Sequence, residues 1–190
     1  MNTRIEKDFF FQSAVHFENK FYINSYELSA SMLVETSSLR EQQVSMNRIE
    51  YFIGEFLQNS VFVDMSDALA IKKYTKAGVR VCGFPEQPYD QIVSMIVLLK
   101  LNAITEGRIK ITDLIMGSLM SDGVKYNIVS EVAEGSYGGN HWWNRSCASV
   151  EEPAGKQNDD NVVKLFDDSK WADLNLSWKK NTKNSLTLRD

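Results

Sequence analysis

The stretch that decides the fold is VFVDMSDALAIKKYTKAGVRVC, residues 61–82. It begins with four residues typical of a buried strand, and Ser66 or Asp67 follows where a helix N-cap is favoured. The predicted helix runs through Ala77, Gly78 supplies the left-handed residue that commonly ends a helix, and a second apolar run follows at 79–82. Strand, short helix and strand in this order predict two parallel strands joined by a helical crossover.

Upstream of this unit the sequence predicts a long amphipathic helix over 38–58. Ser38 and Glu41 form the signature of a capping box, in which a serine hydroxyl and a glutamate carboxylate bind the first free N–H groups of the helix. Apolar residues then recur every three or four positions, which places them on one face. These residues are Ile49, Phe52, Ile53, Phe56 and Leu57. We expect Ile53 and Phe56 to be buried against a sheet.

Two further pairs of β-prone segments predict antiparallel hairpins. The first pair, 9–17 and 21–28, flanks a polar turn, and the second pair, 108–120 and 124–132, flanks Ser121-Asp122-Gly123. A glycine-containing loop, 135–139, is expected after the second pair. The hairpins would add antiparallel strands to the parallel pair.

A third helix is predicted over 89–104, and its apolar residues extend nearly all the way round. Such a helix is buried on more than one side, or it also meets a partner subunit. The sequence thus predicts an α/β (or α+β) fold: a mixed sheet with a parallel βαβ pair and antiparallel hairpins, covered by two or three helices. The apolar surplus of this helix also predicts a homodimer.

Composition divides the chain into three parts. Residues 1–150 are predicted to form a single α/β domain. Residues 151–161 contain almost no apolar side chain, which predicts a flexible linker. The tryptophans of 171–178 predict that part of 162–190 docks onto the domain, with a frayed tail after it.

Charge and cysteine content exclude several classes of protein. The formal net charge is −4 and the pI about 5.3, which argues against a nucleic-acid-coating protein. No apolar run approaches the ~20 residues that cross a membrane. Cys82 and Cys147 are too few for a disulfide framework, and residues 1–7 are polar, so we expect a cytoplasmic location.

The first candidate site is a glycine-rich aromatic loop over 136–145. Its chemistry-bearing residues are Tyr137, His141, Trp142, Trp143 and Arg145. Flat rings and a planar cation next to flexible glycines could stack on a small molecule or grip a protein partner. In the alternative interpretation, both tryptophans fill the core and the glycines only let the chain turn.

The second candidate is a cluster of carboxylates. Asp64 ends a predicted parallel strand, Asp67 opens the following helix, Asp113 ends another apolar run, and Asp90 opens the third helix. If three of them met beyond the strand ends, they could hold Mg²⁺ for phosphoryl transfer or phosphodiester cleavage. The alternative is that Asp67 and Asp90 are helix caps and that Asp113 begins a turn.

No strong catalytic motif is present: the sequence has no P-loop, no HExxH or paired CxxC, and no GxSxG. We therefore expect a soluble, non-catalytic binding or regulatory protein that recognises a small molecule or a protein partner through the aromatic loop, without a cofactor. The alternatives are a Mg²⁺-dependent enzyme using Asp64, Asp67 and Asp113, and a structural or assembly subunit. An accessory protein of a phage or mobile element would fit the lack of motifs.

Overall fold

The computed structural model describes residues 3–150 and 169–178, which form one mixed sheet and five α-helices. The strands are β1 Thr3–Phe17, β2 Lys20–Val34, β3 Val61–Asp64, β4 Val81–Phe84, β5 Ile109–Ser118 and β6 Lys125–Val129. The helices are α1 Leu39–Tyr51, α2 Ala68–Lys76, α3 Asp90–Thr105, α4 Ser130–Tyr137 and α5 Ser169–Asp173. The strands lie in the order β4-β3-β1-β2-β5-β6. The predicted α/β class is confirmed. The predicted linker, 151–161, lies outside the described residues, as does most of 162–190.

The predicted βαβ unit is present as β3, α2 and β4. Strands β3 and β4 pair in parallel, with Val61 opposite Val81. The Asp67 carboxylate accepts a 2.9 Å hydrogen bond from the Ala70 N–H and so caps α2. Gly78 follows the helix at φ +73°, a conformation that costs glycine little. Local signals therefore determine this unit.

Four strands point the same way. Strands β1, β3 and β4 are mutually parallel, whereas β2 runs antiparallel to both β1 and β5. Strand β5 therefore has the direction of β1. The carboxyl ends of β1, β3, β4 and β5 all lie at one edge of the sheet, which we call the strand-end edge. Helix α3 begins at this edge, because it follows β4 directly.

The first hairpin is longer than the sequence predicted. Strands β1 and β2 have 15 residues each, and the turn residues Glu18 and Asn19 both have positive φ. The second hairpin is shorter, because β6 ends at Val129 and 130–137 form α4. The predicted strand over 130–132 and the predicted loop over 135–137 are therefore wrong. Ala133 is fully buried in the main core, and α4 packs on α3. This helix packing forms where the alternating pattern of the sequence predicted a strand.

The predicted helix over 38–58 is α1 continued by a π-helical turn, Phe52–Leu57. The Ser38 hydroxyl accepts a hydrogen bond from the Glu41 N–H, as expected for an N-cap. Ile53 is buried as predicted, but Phe56 is only partly buried. The wider π turn rotates Phe56 away from the buried stripe, since residues there no longer repeat every 3.6 positions.

Helix α3 lies in the centre of the core. Thirteen of its sixteen residues are buried within one chain, between the sheet and the elements α1, α4 and the aromatic loop. The apolar surplus from which a homodimer was predicted is thus covered internally, and the dimer stays a prediction. In the part of the chain that the structure describes, no helix is long and apolar enough to span a membrane.

Candidate functional site

The aromatic loop turns both of its tryptophans inward. Trp142 is 0% exposed and Trp143 is 1% exposed. The indole Nε1 of Trp142 donates to the Gly83 carbonyl at 2.7 Å, and that of Trp143 donates to the Tyr137 carbonyl at 2.9 Å. Their rings meet edge to face, with centroids 5.6 Å apart. Both tryptophans therefore fill the core, and neither ring presents a face to a ligand.

A buried lysine holds this loop in place. Lys100 of α3 is fully buried, and its Nζ donates to the main-chain carbonyls of Trp142, Arg145 and Cys147 at 2.8, 2.8 and 2.7 Å. Burial lowers the pKa of Lys100 to about 7. The apolar pattern of α3 gave no signal of this role, because the three acceptors come from a distant stretch of backbone.

The other loop residues lie close to the tryptophans. The Tyr137 hydroxyl donates to Glu86 at 2.8 Å, and burial together with this carboxylate raises the pKa of Tyr137 to about 12. His141 stacks on Trp143 with ring centroids 4.5 Å apart. Arg145 is partly exposed and contributes a carbonyl to Lys100. The five predicted residues thus lie close together, but they pack over the hydrophobic core and do not form an open binding surface.

The aspartates do not gather at one point. Asp113 of β5 pairs with Ser31 of β2, which pairs in turn with Glu6 of β1. Phe62, two residues before Asp64, pairs with Val15 of β1. Glu6 and Val15 are nine residues apart (15 minus 6), or about 30 Å at the usual strand rise. Among residues 3–150 and 169–178, no group of three His, Cys, Asp or Glu side chains is placed to hold a metal ion.

Each aspartate has a structural partner instead. Asp64 accepts from the Ser66 N–H at 2.8 Å, and Asp113 pairs with Arg4 at 3.4 Å. Asp67 caps α2 and lies 3.3 Å from the imidazole of His16. The helix-cap alternative therefore describes Asp67. It is wrong for Asp90, because Tyr89 is the N-cap residue of α3 and the Asp90 carboxylate bonds Ser118 instead. It is also wrong that Asp113 begins a turn, because Asp113 lies within β5.

A cleft of about 220 Å³ lies at the strand-end edge, and we call it the strand-end cleft. It is bounded by the end of β1, the start of β2, the first residues of α3 and the turn after β5. Its aromatic lining is Phe17, Tyr89 and Tyr126, and its polar lining includes Asn24 and Asp90. Phe17 and Tyr89 meet edge to face, with centroids 5.2 Å apart. In open α/β sheets, ligands commonly bind beyond the carboxyl ends of the parallel strands, which is the edge where this cleft lies.

Asn24 is only 1% exposed, and only the oxygen of its side-chain amide makes a hydrogen bond among the described residues. Its Oδ1 accepts from the Met120 N–H at 3.2 Å, while its Nδ2 has no hydrogen-bond partner among the described residues. Ser13 Oγ and Tyr26 OH, which lie on the same face of the β1–β2 pair, are buried without a partner in the same part of the structure. Asn24 and Ser13 both lie close enough to the Tyr26 hydroxyl to lower its pKa, so the three side chains form one polar cluster. Of the three, Asn24 lines the cleft. A buried polar group left without a hydrogen bond costs about 1–3 kcal/mol, and an occupant that accepts from Asn24 would offset that cost.

Asp90 supplies the negative charge of the cleft. It is 9% exposed, and its Oδ2 accepts a 2.6 Å hydrogen bond from the Ser118 hydroxyl at the end of β5. Burial raises the pKa of the Tyr26 hydroxyl; hydrogen bonding to Asn24 lowers this pKa in part, and the Asp90 charge raises it again. Tyr26, which lies behind the cleft wall, therefore stays protonated. The cleft itself places the neutral Asn24 amide near one carboxylate acceptor.

The sequence pattern identified Asp90 but not the cleft around it. Asn24, Tyr89 and Tyr126 come from three separate segments, and only the strand order brings them together. One feature of the sequence could have indicated this site. Asn24 is a polar residue at an inward-facing position of β2, in line with Tyr26 and Leu28.

Comparison with known proteins gives a structural likeness but no family. No protein-family model matches the chain, and no curated protein matches it. Among solved structures, the chain is similar to the crystal structure of the uncharacterized protein WS1659 from Wolinella succinogenes, with a TM-score of 0.47 and 13% sequence identity. That match covers 68% of this chain and 98% of the other.

Proposed function

We propose that this protein binds a small planar molecule in the strand-end cleft and acts as a binding or regulatory protein. The observation that carries this proposal is the Asn24 amide at the wall of the cleft, which is 1% exposed. Its Nδ2 makes no hydrogen bond of normal geometry among the described residues, although the Tyr26 hydroxyl lies close enough for Asn24 to lower the pKa of Tyr26. Buried polar groups in native proteins are almost always satisfied, so an unpartnered donor beside a cleft points to a ligand.

The lining defines the chemistry of that ligand. Asn24 requires a hydrogen-bond acceptor, and the Asp90 carboxylate favours an N–H or O–H donor. Phe17, Tyr89 and Tyr126 favour a flat ring, since aromatic faces and edges pack well against one another. At about 30 Å³ for each water, a cleft of about 220 Å³ has the volume of about seven waters, which suits a molecule of about ten heavy atoms. A heterocycle of nucleobase type, with a carbonyl next to ring or exocyclic N–H groups, meets all three requirements.

The geometry supports this cleft over the other candidate sites. The tryptophans of the aromatic loop are core residues, and the aspartates proposed for Mg²⁺ are separated along the sheet. A second concave surface, with exposed Phe10 and Leu119, lies on the opposite face of the sheet, where its polar residues are largely open to solvent. Among these candidates in the described part of the chain, the strand-end cleft combines a buried amide with an unsatisfied donor, a buried carboxylate and an aromatic wall.

The test is a thermal-shift screen of the full chain against free nucleobases, nucleosides and small heterocyclic amides, followed by calorimetric titration of the hits. A ligand at 100 times its Kd stabilises the folded state by about 2.7 kcal/mol. Asn24→Leu should abolish this shift. Its own effect on stability should be about 1 kcal/mol or less, because loss of the Met120 hydrogen bond is offset by removal of the unpartnered Nδ2.

The matched control is Asn127→Ala, since Asn127 is an exposed asparagine on β6. It should bind the hits as the unmodified chain does. Two results would contradict the proposal: no planar heterocycle raises the melting temperature, or the hits bind Asn24→Leu with unchanged affinity.

A further inference from the structure

A short C-terminal segment, 171–178, is held against the domain by its two tryptophans and its main chain. Trp171 is 1% exposed, and its Nε1 donates to the Ser146 carbonyl at 2.7 Å. Trp178 is partly buried. Exposed Leu174 lies between them and faces solvent. The two ends of the segment therefore contact the domain, whereas residues 173–175 between them are exposed.

Arg48 of α1 lies between the two indoles. Its guanidinium carbon is 4.6 Å from the centroid of the Trp171 ring and 3.8 Å from that of Trp178. Its Nε donates to the Leu176 carbonyl at 2.8 Å. This single side chain, 1% exposed, therefore contacts the segment through both rings and the backbone.

The domain itself holds Arg48 in this position. The Nη1 atom donates to the Ile104 carbonyl at 3.0 Å and to Glu106 Oε1 at 2.9 Å. Both acceptors lie at the end of α3, not in the segment. The guanidinium is consequently oriented by contacts that do not depend on the C-terminal segment, as in a preformed binding site.

Two more arginines complete the surface. Arg40 donates to the Ser177 and Trp178 carbonyls at 3.3 and 3.4 Å, and the Arg108 guanidinium lies 4.0 Å from the centroid of the Trp178 ring. Arg40 and Arg48 thus bind main-chain carbonyls of the segment, and Arg48 and Arg108 lie over its indole rings. Contacts of this kind hold a peptide by its backbone and its aromatic residues.

We propose that Arg40, Arg48 and Arg108 form a peptide-binding site, the arginine groove, and that 171–178 is its exchangeable occupant. The ligand class is a peptide with two tryptophans seven positions apart that offers main-chain carbonyls between and beside them. This site is separate from the strand-end cleft and does not rest on its function. A peptide supplied in trans must compete with the tethered segment, whose effective concentration is on the order of millimolar.

The test removes the tether and leaves every residue in place. A specific protease site inserted at 156–157 is cleaved in the purified full-length chain, and the nicked protein is examined by gel filtration and circular dichroism. We expect the C-terminal fragment to co-elute with a folded domain. A fluorescent peptide with the sequence of 169–178 should then exchange into the groove, and the uncleaved chain should bind it far more weakly.

Two altered peptides make the test specific. The Trp178→Ala peptide should bind about tenfold more weakly or worse, because it loses stacking on two guanidiniums and 1.4 kcal/mol corresponds to a factor of ten. The Leu174→Ala peptide should bind like the original, since Leu174 is exposed. Unfolding of the nicked chain would overturn the proposal, because the segment would then be an inseparable part of the core. Loss of the fragment without rebinding, or equal affinity of the two altered peptides, would overturn it as well.

Discussion

The Nζ of Lys100 lies 2.7 Å from the carbonyl oxygen of Cys147, and this contact fixes the end of the aromatic loop to the central helix of the core. With the carbonyls of Trp142 and Arg145, Cys147 uses all three protons of the ammonium group. A neutral amine has only two protons to donate, so deprotonation would leave one buried carbonyl without its donor. The protonation of Lys100 and the packing of the loop are thus coupled.

Lys100 should make stability depend on pH in a definite window. Burial lowers its pKa from 10.5 to about 7, so between these values the unfolded chain binds more protons than the folded chain. The contribution of Lys100 to the free energy of unfolding therefore rises with pH above about 7 and levels off near its unfolded pKa. Between about pH 7 and pH 9 the increase should be about 2 kcal/mol.

The measurement is urea unfolding of the wild-type chain and of Lys100→Met across this range. Methionine has a similar volume and no charge, so the difference between the two chains isolates the lysine. Equal pH dependence of the two chains would mean that Lys100 keeps its ordinary pKa in the fold.

A second prediction follows from the π-helical turn after α1. Phe52 is fully buried, whereas Phe56 is partly exposed and lies under the Arg80 guanidinium at 4.7 Å. Phe52→Ala should cost about 3–5 kcal/mol, as truncation of a core aromatic does, and Phe56→Ala should cost about half of that. Chemical denaturation of the two variants gives the comparison. A larger loss for Phe56→Ala would show that the helix continues with ordinary α periodicity.

The sequence predicted best where structure depends on neighbouring residues. The α2 unit follows from a capping aspartate, a short helix and a glycine at positive φ, all within 22 residues (61–82). The extent of β1 and β2 was underestimated, because residues 3–8 contain a single apolar side chain, Ile5, and residues 29–31 are small or polar. Their inward members, such as Ala30 and Met32, are buried only because β5 and α3 pack there.

Residues that act across long distances could not be predicted in this way. Lys100 and Arg48 look like solvent-exposed charges on helices, yet both are buried, because carbonyls from distant segments satisfy them. Asn24 lines the strand-end cleft only because the fold brings Met120 and Asp90 to the same cleft. In the same way, the aromatic residues of 137–145 were correctly seen as a group, but sequence alone left open whether their rings face the core.

A third prediction concerns Asp67. Its carboxylate caps α2 through the Ala70 N–H and lies near His16, so its role in the fold is structural. Asp67→Ala should lower stability by about 1 kcal/mol, the usual cost of losing an N-cap, and Asp67→Ser should recover most of it. Because the aspartates are spread along the sheet, millimolar Mg²⁺ should shift the melting temperatures of the wild type and Asp67→Ala equally. A shift confined to the wild type would support a metal site that includes Asp67.

The last prediction separates a core role from a binding role for the aromatic loop. Trp142 is fully buried, packs against Phe84 and Phe52, and donates to the Gly83 carbonyl. Trp142→Ala should therefore lower the free energy of unfolding by about 3–5 kcal/mol. Trp142→Phe keeps most of the apolar contact, so its loss should be smaller and come mainly from the unpartnered Gly83 carbonyl, about 1–3 kcal/mol.

Unfolding and ligand binding are measured on the same two variants and on His141→Ala, which removes a partly exposed ring of the loop that stacks on Trp143. Ligands that bind in the strand-end cleft should keep their affinity for the folded fraction of all three, because no residue of the aromatic loop lines that cleft. Nearly unchanged stability of Trp142→Ala, together with lost ligand affinity, would instead assign recognition to the loop. The structure favours a core role for Trp142, because its ring has no exposed surface with which to contact a ligand.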